Sequence, residues 1–314
     1  MLVIGSSGQS TLTPHSPAQH QIVLLWWVMF GVACVGLTVI AVLLLVGWVR
    51  RNREALPFGG SERGATRLVV GLGIATPIVL LSALFIWSDV FVIRSTAAPA
   101  PGSTALTVHV IGHQWFWEIR YDGVPGSTVD ELHIPVRTRV NVIGTTADVI
   151  HSIWVPELNR KADVIPGRTN RLLLYADRVG TYIGQCGEFC GLQHAHMQLT
   201  VIAEPRARFE EWLRSEGQPA AEAANGPGLK LFKAKGCANC HAIRGTAANA
   251  HVGPDLTHVG SRRTLAAGTV PNDRTHLREF IRNPQAVKPG AKMPQLPQTP
   301  NQTDALVRYL ESLK

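Results

Sequence analysis

The sequence predicts a multi-domain membrane protein: an N-terminal hairpin of two transmembrane helices, an all-β sandwich or barrel, and a small all-α domain at the C-terminus. Three observations predict it. Two apolar runs each exceed the roughly 20 residues that a helix needs to cross a bilayer. Short runs rich in β-branched and aromatic residues follow, separated by turn signals. After an Ala/Gly/Pro-rich joint the pattern becomes helical.

Ile22 to Val49 contains no charged residue, and Leu68 to Val92 contains only Asp89, near its end. Buried core helices of that length and purity are unusual, so both runs read as membrane spans. The loop from Arg50 to Arg67 carries Arg50, Arg51, Arg53, Arg63 and Arg67 against Glu54 and Glu62. The tail before Ile22 has no Lys or Arg. The positive-inside rule then puts the loop in the cytoplasm and both chain ends outside. The tail lacks the charged start of a signal peptide. Trp26, Trp27, Trp48 and Trp87 lie near the apolar margins, where interfacial aromatics gather. Cys34 reads as a small apolar helix residue. The expected boundaries are a tail over 1–21 and a hairpin over 22–93.

The β-domain is expected over 94–214. Its runs include Ala105 to Ile111, Trp115 to Tyr121, Thr138 to Ile143, Arg171 to Tyr175 and Met197 to Ile202. Asp122-Gly123, Pro125-Gly126, Pro166-Gly167 and Val179-Gly180 mark turns between them. Phe209 to Arg214 reads as a short helical exit. Residues 215–228, SEGQPAAEAANGPG, have linker composition. Helical patterns then appear at Leu229 to Lys235, His276 to Arg282 and Thr303 to Leu313, within a last domain over 229–314. The formal net charge is +8, but no Lys/Arg run or aromatic-interleaved basic stripe suggests nucleic acid.

Residues 186–197 read CGEFCGLQHAHM. Thiolate, imidazole and thioether together suit copper. A mononuclear blue-copper site takes one Cys, two His and a weak Met. The second Cys allows two thiolates to bridge two coppers, so that one electron spreads over both ions. A second histidine comes from His151, in DVIHSIWVP after a strand-like run. The competing reading, a Cys186–Cys190 disulfide in an exported chain, leaves His194 and Met197 unexplained. His196 has a spacing that fits no ligand role.

These motifs, the two spans and GHQWFW at 112–117 closely resemble subunit II of the haem–copper cytochrome c oxidases, over about residues 20 to 205. The resemblance implies an all-β cupredoxin-like Greek-key domain and a dinuclear copper A centre. Cys186 and Cys190 would bridge the coppers, His151 and His194 would be terminal ligands, and Met197 and the Glu188 carbonyl would be weak ones. It also implies that the Glu188 carboxylate reaches a magnesium site at the boundary with subunit I. Trp115 matches the tryptophan through which electrons enter; packing in an aromatic cluster is its ordinary alternative.

Residues 237–241 read CANCH, the signature of c-type haem attachment. Cys237 and Cys240 would take the haem vinyl groups and His241 the iron. A zinc site needs further Cys or His at matching spacing, and a thioredoxin-like motif needs a βαβ context; this helical segment offers neither. Of Met1, Met29, Met197 and Met293, only Met293 lies in the last domain. Met–His ligation raises a haem potential; bis-His ligation through His251, His258 or His276 competes with it. The domain resembles class I cytochrome c over 230–314, with Gly253-Pro254 after the haem motif. That resemblance implies that Phe232 and Tyr309 pack where the first and last helices cross.

No nucleophile–base pair, paired carboxylates or phosphate loop appears, so no catalytic residue is assigned in this chain. The two resemblances imply an electron relay in a terminal respiratory oxidase. A cytochrome c or other donor complex reduces the haem c, the haem reduces copper A, and copper A reduces a haem of subunit I, where oxygen is reduced. The fused haem domain points to the caa3-type bacterial oxidases, with subunits I and III as partners. The expected place is the bacterial inner membrane, with both termini and both metal domains periplasmic. A flexible linker would keep the haem domain at high effective concentration. Many subunits II carry a glutamate about two turns before a proline matching Pro77; here that stretch reads Leu68-Val69-Val70, and no proton role is assigned. Two other functions compete: the electron-input subunit of a copper A-type nitric-oxide reductase, and a membrane copper assembly or storage protein. The haem domain argues against storage. A quinol oxidase subunit would lack the copper ligands, and nitrous oxide reductase would need a large further domain.

Overall fold

The computed structural model describes residues 9–50, 62–100, 102–220 and 226–314. Most of the arginine-rich loop, the first eight residues and linker residues 221–225 lie outside the described residues. The chain divides into two units, His20–Ala97 and the remainder on either side of it.

The first unit holds two helices, Pro17–Arg50 (which starts in the other unit) and Glu62–Ile93, both long and apolar enough to cross a membrane. Their side chains are apolar around the whole circumference, with Leu37, Leu44 and Phe85 all exposed. A helix of that kind is stable in hydrocarbon rather than in water. Pro77 lacks an N–H and cannot continue an ordinary ladder. The helix accommodates it by widening over Gly71–Ala75, where the Thr76 N–H donates to the Gly71 carbonyl.

The second unit contains a β-sandwich. Its strands are β1 Leu106–His113, β2 Phe116–Tyr121, β3 Thr128–Val129, β4 Glu131–Pro135 and β5 Val140–Thr146, then β6 His151–Trp154, β7 Ala162–Val164, β8 Asn170–Leu174, β9 Gly180–Cys186 and β10 Gln198–Glu204. They form two five-stranded sheets, ordered β3-β2-β1-β5-β8 and β4-β10-β9-β6-β7. β1 runs parallel to β5 and β4 parallel to β10, so the connections cross between sheets in Greek-key manner. Alternate residues such as Val108, Val110, Ile119, Leu132, Val142, Leu172 and Val201 point inward and fill the core. The run expected from Thr138 pairs only from Val140, because the chain turns at Arg137, whose φ is 56°. The tail also belongs here: the His15 N–H donates to the Glu157 carbonyl and the Asp177 N–H to the His15 carbonyl, both at 2.9 Å.

Helix Arg206–Glu216 closes the sandwich. The haem-motif region follows, with helices Pro227–Ala234, Arg274–Arg282, Pro284–Val287 and Pro300–Ser312. A two-stranded hairpin, Thr264–Leu265 with Val270–Pro271, adds a small β-element to the expected all-α domain. The first and last helices meet where Phe232 and Tyr309 lie 6.2 Å apart between ring centroids. The described part of the expected flexible linker is packed rather than loose. Ala220 is buried in the haem-domain core, and the Gln218 carbonyl accepts from His258 Nε2 at 2.9 Å.

Candidate metal centres

The first centre lies at one end of the sandwich. β6 and β9 are neighbours, with Ile153 paired to Cys186, so the start of β6 and the end of β9 come together. His151 opens β6, Cys186 closes β9, and the loop to β10 supplies Cys190, His194 and Met197. Three candidate ligands thus come from one short loop, and two from strand ends that the sheet ladder holds beside it.

The two thiols stand 3.8 Å apart, and neither is bonded into a disulfide. The imidazoles are disposed alike: His151 Nδ1 is 3.8 Å from Cys186 Sγ, and His194 Nδ1 is 3.7 Å from Cys190 Sγ. Met197 Sδ lies 3.8 Å from Cys190 Sγ, and the Glu188 carbonyl 3.1 Å from Cys186 Sγ. His151, Cys186, Cys190 and Met197 are all buried. Two thiols, two imidazoles and a thioether around a sulfur pair are a donor set suited to copper, so the residues fit the expected group.

Asp148 completes the arrangement from outside the ligand set. Its carboxylate accepts from His151 Nε2 at 2.9 Å and from the Gln114 N–H at 2.7 Å. The Nε2 bond fixes the tautomer and leaves Nδ1 facing the sulfur. Burial opposes the Asp148 charge, yet the hydrogen bonds from His151, Gln114 and Val149 hold its carboxyl down at about 2. Burial likewise pushes the His151 pKa down, but Asp148 and Cys186 outweigh it and raise it. The hydrogen bond from Cys190 makes Cys186 ionise far below the usual thiol range, against burial. That thiolate in turn holds the Cys190 proton on. A second thiolate therefore needs added positive charge, which a metal ion supplies.

Trp115 packs against this loop. Its Nε1–H donates to the Cys190 carbonyl at 3.0 Å, and Gln114 Nε2 donates to the same oxygen at 2.8 Å. Gly191 has φ +113°, and a Cβ there would stand 3.0 Å from the indole Cζ2. Only glycine suits both the backbone and the ring's approach. The Glu188 side chain is exposed, as is that of His196. Asp148 and Gln114 escaped the sequence reading, although the three-residue step from Asp148 to His151 in DVIHS could have pointed to the first.

The second centre is CANCH. Cys237 and Cys240 are free, and burial raises the Cys237 thiol. His241 Nδ1 bonds to the Pro254 carbonyl at 2.8 Å, leaving Nε2 for iron. Burial keeps this imidazole neutral by lowering its pKa. Gly253 is needed because a Cβ there would meet His241 Cε1 at 2.7 Å. Leu256, Val270, Leu277, Phe280 and Ile281 supply apolar surface in the same domain. Met293 lies on a separate segment, half-buried, with its carbonyl accepting from Gln285 Nε2 at 3.1 Å. Free thiols, a neutral histidine with one open nitrogen and an apolar surround fit a covalently bound haem. Among the described residues no third group of metal-binding side chains gathers.

Comparison with known proteins gives two family matches. Residues 126–204 match "Cytochrome C oxidase subunit II, periplasmic domain", and residues 226–314 match "Cytochrome c". Cytochrome c oxidase subunit 2 of Alkalihalophilus pseudofirmus is 36 % identical over 220 residues, covering 69 % of this chain and 64 % of that protein. The subunit 2 of Bacillus sp. strain PS3 is 31 % identical over 223 residues, covering 67 % and 62 %. The chain thus spans a little under two thirds of the length of these curated relatives. The crystal structure of the periplasmic domain of cytochrome oxidase subunit II from Bradyrhizobium japonicum is 30 % identical. It covers 38 % of this chain and 96 % of that one, with a TM-score of 0.36.

Proposed function

This chain carries the periplasmic domain of cytochrome c oxidase subunit II followed by a cytochrome c domain, and from that premise we propose that it is the electron-input subunit of a membrane terminal oxidase. It takes electrons from a donor at its haem domain and delivers them to subunit I, where oxygen is reduced. When bound, the haem and the copper pair each supply a one-electron couple.

The observation that carries this reading is the hydrogen bond from Trp115 Nε1 to the Cys190 carbonyl. It joins an aromatic ring on the face of the β-domain to a copper-ligating residue through one short polar contact. Cys186 and Cys190 would bridge two coppers, with His151 and His194 at the ends and Met197 and the Glu188 carbonyl as weak donors. Asp148 holds His151 in the binding tautomer. Cys237 and Cys240 would carry the haem, His241 would ligate iron through Nε2, and Met293 would be a second iron ligand. The exposed Glu188 carboxylate is free to meet magnesium at the surface of subunit I.

The tail supports one sidedness. Residues before the first span bond to the β-domain through His15, so tail and β-domain share one side of the membrane and the arginine-rich loop takes the other. The loop's charge makes that other side the cytoplasm. In this reading both ends and both metal domains are periplasmic, and subunit III joins subunit I in the complex.

Purification from native membrane tests the reading. The expected preparation contains subunit I, consumes oxygen, and holds two coppers per haem c in this chain. A single copper or zinc removes the dinuclear assignment. A preparation that reduces nitric oxide and not oxygen replaces the oxidase with the reductase.

A further inference from the structure

Lys288 belongs to the haem domain, yet it is 4 % exposed and faces the β-domain. A buried ammonium is costly unless its protons find acceptors. Its Nζ donates to the His196 carbonyl at 2.9 Å and to the Ala266 carbonyl at 2.6 Å. Burial works against its charge, while Asp130 lies close enough to support it. His196 stands between His194 and Met197, with its own side chain turned to solvent. A cation of the haem domain thus holds the backbone between two candidate copper donors. The Gln198 N–H, just beyond Met197, donates to Ala267 of the same haem-domain hairpin at 3.1 Å.

The segment after Lys288 extends the contact. A Cβ on Gly290 would stand 2.9 Å from Leu192 Cδ2 and 3.5 Å from Trp115 Cη2. The chain therefore lies on the ring that bonds to Cys190. Gln285 stiffens this segment: its Oε1 accepts from the Gly290 N–H at 2.8 Å, and its Nε2 donates to the Ala291 and Met293 carbonyls at 2.8 and 3.1 Å. One end is pinned to the copper loop, and the other carries the candidate iron ligand.

We propose that Lys288 is a positioning residue that pins the Met293 segment to the copper loop through the His196 carbonyl, so that docking of the haem domain and the shape of the copper site are coupled through this contact. The inference rests on reading residues 186–197 as a copper loop. It accounts for a buried lysine that binds no substrate. It also makes the haem domain's position over Trp115 a fixed feature rather than a diffusive encounter.

The test uses the full chain in its complex. Haem c is photoreduced, and its reoxidation is followed together with the near-infrared absorption and spin-resonance spectrum of the copper centre. In Lys288→Met the internal transfer is expected to slow about tenfold or more, as small misplacements of reacting groups do. The copper spectrum should shift while the haem c spectrum stays as in wild type. Lys288→Arg, which keeps charge and donors, should recover part of the rate. A copper-loaded Lys288→Met variant with wild-type rate and copper spectrum overturns the proposal. Should that variant fail to load copper or haem, hydrogen exchange on the wild-type complex decides. Amides of residues 194–198 and 264–269 that open together support the pin, and independent opening overturns it. A wild-type chain that binds no copper would instead overturn the reading beneath it.

Discussion

Asp148 touches neither sulfur, yet it decides which nitrogen of His151 faces them. Partners of this kind tune metal affinity by about 10–100-fold. Asp148→Ala is expected to weaken copper retention by about that factor without unfolding the sandwich. Competition with a chelator measures it, and unchanged retention would show that the sheet alone orients His151. Asp130 carries a separate pH dependence. Burial raises its carboxyl to about 6, despite the Trp117 N–H and Lys288 pulling it down. The folded state thus binds the proton more tightly than the unfolded chain. This contribution to stability is complete below about pH 4 and is lost as pH rises through about 6. The loss is at most about 3 kcal/mol, and less because Asp130 keeps an exposed edge. Asp130→Asn retains an acceptor for Trp117 and suits the φ of 62°. It should flatten the slope between pH 4.5 and 7.5 in denaturant unfolding; an unaltered slope would assign the effect elsewhere. At this scale the sequence exposes residues that act within one loop, such as Cys186 to Met197. It hides Lys288, whose partner His196 lies 92 positions away and offers only a backbone oxygen.

Elements were legible to the degree that their stability is local. The two spans could be read outright, since length and unbroken apolarity suffice whatever else the chain does. The strands were legible as runs, but their ends depend on turns such as Arg137 and on ladder partners elsewhere. The linker composition suggested freedom because Ala, Gly and Pro carry no contact information; Ala220 shows that a small side chain can still be core. The helix crossing in the haem domain makes a demand of its own. A Cβ on Gly228 would stand 2.4 Å from Tyr309 Cβ. Gly228→Val should therefore destabilise the haem domain by about 1–3 kcal/mol through overpacking. Thermal unfolding followed at the haem band reports it, and an unshifted midpoint would mean that the helices can slide apart freely.

Across the whole molecule, charge is unevenly shared. Residues 226–314 hold thirteen Lys/Arg and five Asp/Glu, while the rest of the chain holds seventeen of each, so the net +8 belongs to the haem domain. A donor that delivers electrons there should be acidic where it docks. Its reduction of the haem should slow on the order of tenfold between low and physiological salt. Transfer within the docked unit should not respond, because those groups are already in contact. Equal salt sensitivity of both steps, measured by stopped flow, would place docking on both paths. The layout of membrane part, β-domain and haem domain was legible because composition changes at each join. The docking between the last two was not, because it depends on carbonyls and a glycine that any sequence can offer.

The tail that bonds to Glu157 and Asp177 also constrains the order in which this protein can be made. His15 is synthesised 162 residues before its partner Asp177. At about 5–20 residues per second, the tail waits roughly 8–30 s for that partner to emerge from the ribosome. Both candidate spans are synthesised within that interval, so a segment made before them finds its place only after them.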